Sequence, residues 1–187
     1  MARAGETIEN PVTGERLVFV ETAADSGGAR LRIDLHLAAD AHNAGSHRHA
    51  RQQERIAVVR GQLQLVVAGA APRTLRAGEE VVLPPGVPHV WWNDSGAPAQ
   101  VAIEYQPALN TEEFFESFFA LGRDGKTDRR GAPTFLQAIV MARHFEIYDG
   151  KAPVWVQRLA CLLLEPFARA LGYRAHHVAA GATAVAA

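Results

Sequence analysis

The chain has 187 residues, 48% of them hydrophobic, enough to bury one substantial core, so a single domain with an appendage is expected. Lys plus Arg (19) nearly cancels Asp plus Glu (20); the broad basic field needed for non-specific binding to nucleic acid is missing, and no nucleic-acid partner is expected. With one cysteine, Cys161, no internal disulfide can form, and residues 1–10 hold no apolar run of signal-peptide length, so a reduced, cytoplasmic protein is the expectation. The most apolar window, 154–171, carries Gln157, Arg158, Glu165, Pro166 and Arg169, charges and breakers that a bilayer interior would penalise, and no membrane span is expected.

From the N-terminal side the chain reads as short strands. Leu17, Phe19 and Glu21 alternate with Val18 and Val20, and Leu31, Ile33, Leu35 and Leu37 alternate with Arg32, Asp34 and His36, a period of two that gives each strand one buried face. Residues 56–60 and 62–67 are two β-rich runs separated by Gly61, which predicts a hairpin centred on that glycine. Further strands are expected over 80–83, 89–92 and 100–106. Many short strands with no helical pattern between them indicate a mainly β sandwich or barrel rather than βαβ units.

Helical periodicity begins only after the strands end. Asn110 followed by Glu113 has the spacing of a capping box, and Phe114, Phe115, Phe118, Phe119 and Leu121 give a helical face closed by Gly122. A second helix is expected over 135–147 and a third over 154–171. In the third, Trp155, Leu159, Leu162, Leu163, Phe167 and Leu171 form one stripe, with Arg158, Glu165 and Arg169 on another. Pro166 should kink or split this helix, because it lacks a backbone donor. The expected division is a barrel with N-terminal strands over 1–108, a helical extension over 109–174 packed on the barrel or at a dimer interface, and a flexible tail over 175–187.

Four metal-ligating side chains fall in two clusters, His47, His49 and Glu54 in one and His89 in the other. Imidazole and carboxylate together suit a divalent ion such as Fe, Mn, Co, Ni, Cu or Zn. His47 and His49 are two apart, so on a strand both rings project from one face. The five-residue step from His49 to Glu54 is odd, so the chain must turn between Ala50 and Gln53 and return Glu54 on a neighbouring strand.

The run His47-x-His49-x4-Glu54-x6-Gly61, followed by Gly78-x5-Pro84-x-Gly86-x2-His89-x3-Asn93, resembles the paired motifs of the cupin superfamily. The resemblance covers about residues 35–107, with Ala41 standing where the first motif usually begins with glycine. It implies a small antiparallel jelly-roll barrel in which the positions of His47, His49, Glu54 and His89 hold one divalent metal and leave one or two coordination positions open. It also implies a homodimer, since single-barrel cupins commonly pair through their sheets. Asn93 should tie down the end of the strand that carries His89.

Trp91 shares the inward face of His89, and Ile56 and Val58 are in phase with Glu54, so these three are the expected substrate pocket. Glu104 and Tyr105 point in opposite directions; whichever faces inward could act as acid or base, and Glu104 joins Glu54 as a candidate catalytic carboxylate. His36, His42, His144, His176 and His177 have no partner at ligand spacing and read as surface or packing residues, and Cys161 reads as a buried, inert thiol. Two functions follow. The first is an enzyme acting on a small oxygenated organic substrate, by dioxygenase-type chemistry with a redox-active metal, or by Lewis-acid isomerisation or decarboxylation without one. The alternative is a non-catalytic module that binds or senses a small ligand.

Overall fold

The computed structural model describes residues 2–177. In chain order the elements are β1 (Thr7–Asn10), β2 (Glu15–Glu21), β3 (Leu31–Leu37), β4 (His47–His49), β5 (Gln53–Arg60), β6 (Gln62–Val67), β7 (Arg73–Arg76), β8 (Glu80–Leu83), β9 (His89–Trp92), β10 (Ala99–Gln106), α1 (Thr111–Arg123), α2 (Phe135–Phe145), β11 (Ile147–Asp149) and α3 (Val154–Ala170). The strands form two antiparallel sheets, one ordered β1-β2-β3-β10-β5-β8 and the other β11-β4-β9-β6-β7. The architecture is mainly β, a jelly roll followed by three helices.

The period-two pattern decides which side chains meet between the sheets. Leu31, Ile33, Leu35 and Leu37 of β3 are buried while Arg32, Asp34 and His36 are not. They join Leu17, Phe19, Ile56, Val101 and Ile103 of the same sheet and Leu63, Leu65 and Trp91 of the other in one core. Each such side chain removed from water contributes about 1.5–3 kcal/mol.

Gly61 does not centre a hairpin. β5 pairs with β10 and β8, and β6 pairs with β7 and β9, so the chain passes from one sheet to the other at Gly61. The residue has φ +80°, and a Cβ there would come within 3.0 Å of the Pro98 carbonyl oxygen and the Ala99 side chain; only glycine allows the corner to be this tight. Strand periodicity is the same for a hairpin and for a sheet-to-sheet corner, so alternation alone does not separate the two.

The helices depart from expectation at their ends. Asn110 makes no capping hydrogen bond to α1; its amide donates instead to the His144 carbonyl at 3.0 Å, tying α1 to α2. Gly122 lies within α1 rather than closing it, and a Cβ there would overlap the Asn10 side chain, so the glycine permits close approach of helix and β1. α2 stops at Phe145, because Glu146 turns into the left-handed region at φ +56°. The next residues, expected to be helical to 147, form β11. α3 runs unbroken through Pro166.

α1 is part of the barrel's packing: Phe115 and Phe119 belong to the main core, while Leu121, Val140, Met141, Phe145 and Ala168 form a second one between the helices. α3 keeps its apolar stripe on the outside. Cys161, Glu165 and Ala168 are its buried residues, whereas Trp155, Leu159, Leu162, Leu163, Phe167 and Leu171 are exposed. Periodicity shows that a helix has an apolar face but not what that face meets. Of the expected tail, Ala175 is buried and the His177 ring lies 2.8 Å from the Asp124 carboxylate; residues 178–187 lie outside the described residues.

Candidate metal centre and its cavity

The cluster is assembled across the gap between the sheets. β4 supplies His47 and His49 and β9 supplies His89, with His47 directly opposite His89 in the pairing register. Glu54 comes from β5 in the facing sheet, where it is paired with Tyr105 of β10. The turn expected after Ala50 is present, but it carries the chain to the opposite sheet rather than to a hydrogen-bonded neighbour of β4. Buried Gln52 holds that crossing, its amide donating to the carbonyls of Pro107 (2.8 Å) and Ala108 (2.9 Å) and to the Thr111 hydroxyl (2.7 Å). The same three bonds fix the start of α1 above the site.

One ligand atom from each of His47, His49, Glu54 and His89 falls within 4.8 Å of the others. Glu54 Oε2 lies 2.8 Å from His89 Nε2 and 3.3 Å from His49 Nε2. The Nδ1 atoms of His47 and His89 each lie 3.1 Å from a backbone carbonyl, of Gly45 and Val87 respectively. A proton on Nδ1 makes both bonds and leaves the Nε2 lone pair free, the arrangement that ligating histidines use. His49 Nε2, His89 Nε2 and Glu54 Oε2 are fully buried with no aligned hydrogen-bond partner. With neutral histidines these buried lone pairs converge and repel one another, a cost that is removed by a divalent cation among them or, without one, by a proton between His89 and Glu54. The residues therefore fit a metal ion, held by three imidazoles and one carboxylate.

The electrostatics agree with the geometry. Burial, together with the His89 and His49 imidazoles, pushes the His47 pKa down to about 3, so its ring is neutral and available as a ligand at neutral pH. Burial opposes ionisation of Glu54, but the facing His89 and His49 outweigh it and hold the carboxyl well below its ordinary value. Burial likewise opposes charge on His89, and the Glu54 carboxylate outweighs it, so His89 is raised. Tyr105 is raised well above an ordinary phenol by burial and by Glu54; it stays protonated and donates to Glu54 Oε1 at 3.2 Å. That bond orients the carboxylate with Oε2 toward the histidines. Tyr105→Phe is expected to weaken metal binding about 10–100-fold while leaving the fold intact, as loss of an orienting partner does elsewhere; a metal titration with a fluorescent competitor reads this, and unchanged affinity would show that the phenol does not position Glu54.

β11 and the segment after it brace the ligand strand. Ile147 pairs with His49 and Asp149 with His47, Gly150 donates to the Ser46 carbonyl at 2.8 Å, and the Arg48 guanidinium donates to the Gly150 carbonyl. At the far end of β9, the Asn93 amide donates to the carbonyls of Ala38 and Ala97, both at 2.8 Å, while its oxygen accepts from Ser95. Asn93 thus fastens the end of the strand that carries His89.

A cavity of about 560 Å³ opens from the cluster toward the helices. His47, His49 and Glu54 lie at its inner end, Leu35, Trp91, Ile103 and Tyr105 form its wall, and Phe114, Phe115, Phe118 and Phe119 of α1 roof it, with α2, β11 and α3 closing the remaining side. Among the described residues, no Lys or Arg lines it. Of the expected pocket residues, Trp91 is on the wall, whereas Ile56 and Val58 are buried in the core, 0% and 2% exposed, and do not line the cavity. Inward-facing positions low on β5 are filled by packing between the sheets, which the alternation alone does not distinguish from a pocket. Glu104 points out of the barrel, 3.8 Å from Arg32 and accepting from Gln106 at 2.6 Å; Tyr105 takes the inward place.

Glu15 was not singled out in the sequence, although the alternation of Leu17 and Phe19 continues back to it. It lines the same cavity, is 6% exposed and accepts a bond from the Thr13 hydroxyl. Burial outweighs that bond and raises its pKa to about 7. Beside Glu54 and Asp149, the cavity therefore holds a carboxyl able to carry a proton near neutral pH.

Comparison with known proteins agrees with this geometry. Residues 34–104 match the cupin domain family, a match that ends before α1 begins. The structure of KdgF from a Halomonas species is similar at TM-score 0.50 and 17% identity, covering 57% of this chain and 91% of that one. An RmlC-like cupin from Shewanella frigidimarina is similar at TM-score 0.49 and 19% identity, covering 60% of this chain and 94% of that one. No curated protein matches.

Proposed function

Because this chain belongs to the cupin superfamily, with its cupin domain over residues 34–104, we propose that it is a metal-dependent enzyme acting on a small, uncharged, largely apolar or aromatic substrate that carries a ligating oxygen. The observation that supports this reading is the placement of the converging buried lone pairs at the inner end of a cavity whose walls are aromatic and aliphatic and hold no cation. A pocket of this size suits a ligand of drug-like dimensions. Apart from the metal itself, an anionic group such as a sugar phosphate would find no Lys or Arg in the lining to pair with.

His47, His49, Glu54 and His89 would hold the metal, which would supply Lewis acidity for isomerisation or decarboxylation or, if redox-active, dioxygenase-type chemistry. The chain's own residues do the rest. Tyr105 orients Glu54, Trp91 and the α1 phenylalanines bind the apolar body of the substrate and exclude water, and Glu15 holds a proton within the cavity. Glu104, outside the barrel, is not assigned a catalytic role.

The test is to reconstitute the protein separately with Fe, Mn, Ni, Cu, Co and Zn and to offer neutral phenols, hydroxyketones and enols beside sugar phosphates, following product formation and oxygen consumption. Turnover of a neutral substrate with at least one metal, and none of the phosphates, is expected. Saturable binding without turnover under every metal would replace the enzyme with a ligand-binding or sensing module. Turnover confined to phosphates would overturn the substrate class.

A further inference from the structure

We propose that the apolar face of α3 is the contact between two copies of this chain, so that the protein is a homodimer joined through its third helix. Trp155 and Leu163 are 71% and 67% exposed, and Leu159, Leu162, Phe167 and Leu171 are each half exposed or more. Five of them lie on one apolar face of α3, and Leu171, the C-cap residue, extends that face past its end. An amphipathic helix in a folded protein normally turns such a stripe inward. This helix turns the other side inward: Cys161, Glu165 and Ala168 are buried, Gln157, Ala160 and Cys161 line the cavity, and Glu165 takes ion pairs from Arg143 (3.0 Å) and Arg169 (2.7 Å).

The exposed area identifies the occupant. Those residues leave roughly 700 Å² of mostly apolar surface open, more than the roughly 300–600 Å² of the largest patch on an ordinary monomer and close to one partner's share of a standard stable interface. A two-fold contact must be self-complementary. Two antiparallel copies of α3 crossing at Leu162 and Leu163 satisfy this, because Trp155 of each copy then lies over the Phe167 and Leu171 end of its partner, with leucines in the middle. The charges bordering the face favour protein over lipid. Arg158 is paired with Glu146 at 2.6 Å, and Arg143 and Arg169 are paired with Glu165. These arginines are neutralised locally, so they neither repel a second copy nor form the cationic border of a helix that lies on an anionic membrane.

This proposal does not depend on what the cavity binds. Sedimentation velocity of the full chain at about 5–50 μM, the range in which a micromolar association is visible, should give the mass of two copies. Leu163→Glu places a charge at the centre of the contact and should weaken association by at least about thirtyfold, as loss of a central interface residue does. Its circular dichroism should match the wild type, because Leu163 is exposed in a single copy; Leu159→Gln is the second variant if Leu163→Glu fails to fold. A monomeric wild type across that range, or a dimer unaffected by either variant, would overturn the proposal. Monomeric wild type that co-sediments with phosphatidylglycerol vesicles, and loses this with Leu163→Glu, would assign the face to a lipid surface instead.

Discussion

Protein purified without an affinity tag or added metal is expected to carry close to one equivalent of a divalent transition metal, and His49→Ala less than about a tenth of that, because removing a ligand costs more than the 10–100-fold typical of an orienting partner. Elemental mass spectrometry on both proteins reads the result. His49 is the residue to change because its ring is 4% exposed and its Nε2 lies 3.3 Å from Glu54 Oε2, so alanine opens a gap beside atoms that have no other aligned partner. Glu54→Gln, nearly isosteric, separates loss of metal from loss of fold: both variants should keep the wild-type circular dichroism. Protons compete with the metal for these rings, so affinity should fall as the pH drops. The competition begins at His89, which Glu54 raises, and ends at His47, which burial holds at about 3. Metal content unchanged in His49→Ala would place the ion elsewhere, and a wild type that takes up no metal even after reconstitution would end the metal-dependent reading.

The second large effect concerns Glu15. Its folded-state pKa is raised to about 7 by burial, above the roughly 4.5 of an exposed glutamate, so the folded chain binds more protons than the unfolded chain between those values. The stability this group contributes is complete below about pH 4.5 and is lost as the pH rises through 7. A displacement of about 2.5 units corresponds to about 3 kcal/mol. Glu15→Gln keeps the shape and the acceptor for Thr13 and removes the titration. In metal-free samples, the stability of Glu15→Gln relative to wild type should increase by about 3 kcal/mol between pH 4.5 and pH 8, measured by urea unfolding at each pH. Parallel pH profiles would show that Glu15 ionises normally in the folded protein.

The barrel and the ligand set were legible in the sequence because each rests on a short-range pattern. Alternation in 31–37 sets one face of β3, and the spacing of His47, His49, Glu54 and His89 requires no knowledge of which strand pairs with which. The parts that were not legible depend on long-range partners. Nothing local at Gly61 distinguishes a hairpin from a corner between sheets, because the deciding atoms belong to Pro98 and Ala99. Asn110 has the spacing of a cap, but the His144 carbonyl, 34 residues away, takes its amide. β11 is three residues long and follows an apolar helix, so periodicity absorbs it into that helix. Glu15 lay on an inward phase that could be counted back from Phe19, yet a carboxylate on that face reads as a strand end until a cavity is seen behind it.

The pairing of β11 with β4 ties the strand that carries His47 and His49 to the helices that close the cavity. Between α2 and α3 the chain is stitched to the strand that carries His47 and His49, at Ile147 and Asp149 and again where Gly150 meets Ser46. The connection between α2 and α3 is therefore held to the same strand as those two histidines, and both helices line the cavity. A displacement of this connection would therefore be transmitted to the backbone of His47 and His49 through those hydrogen bonds.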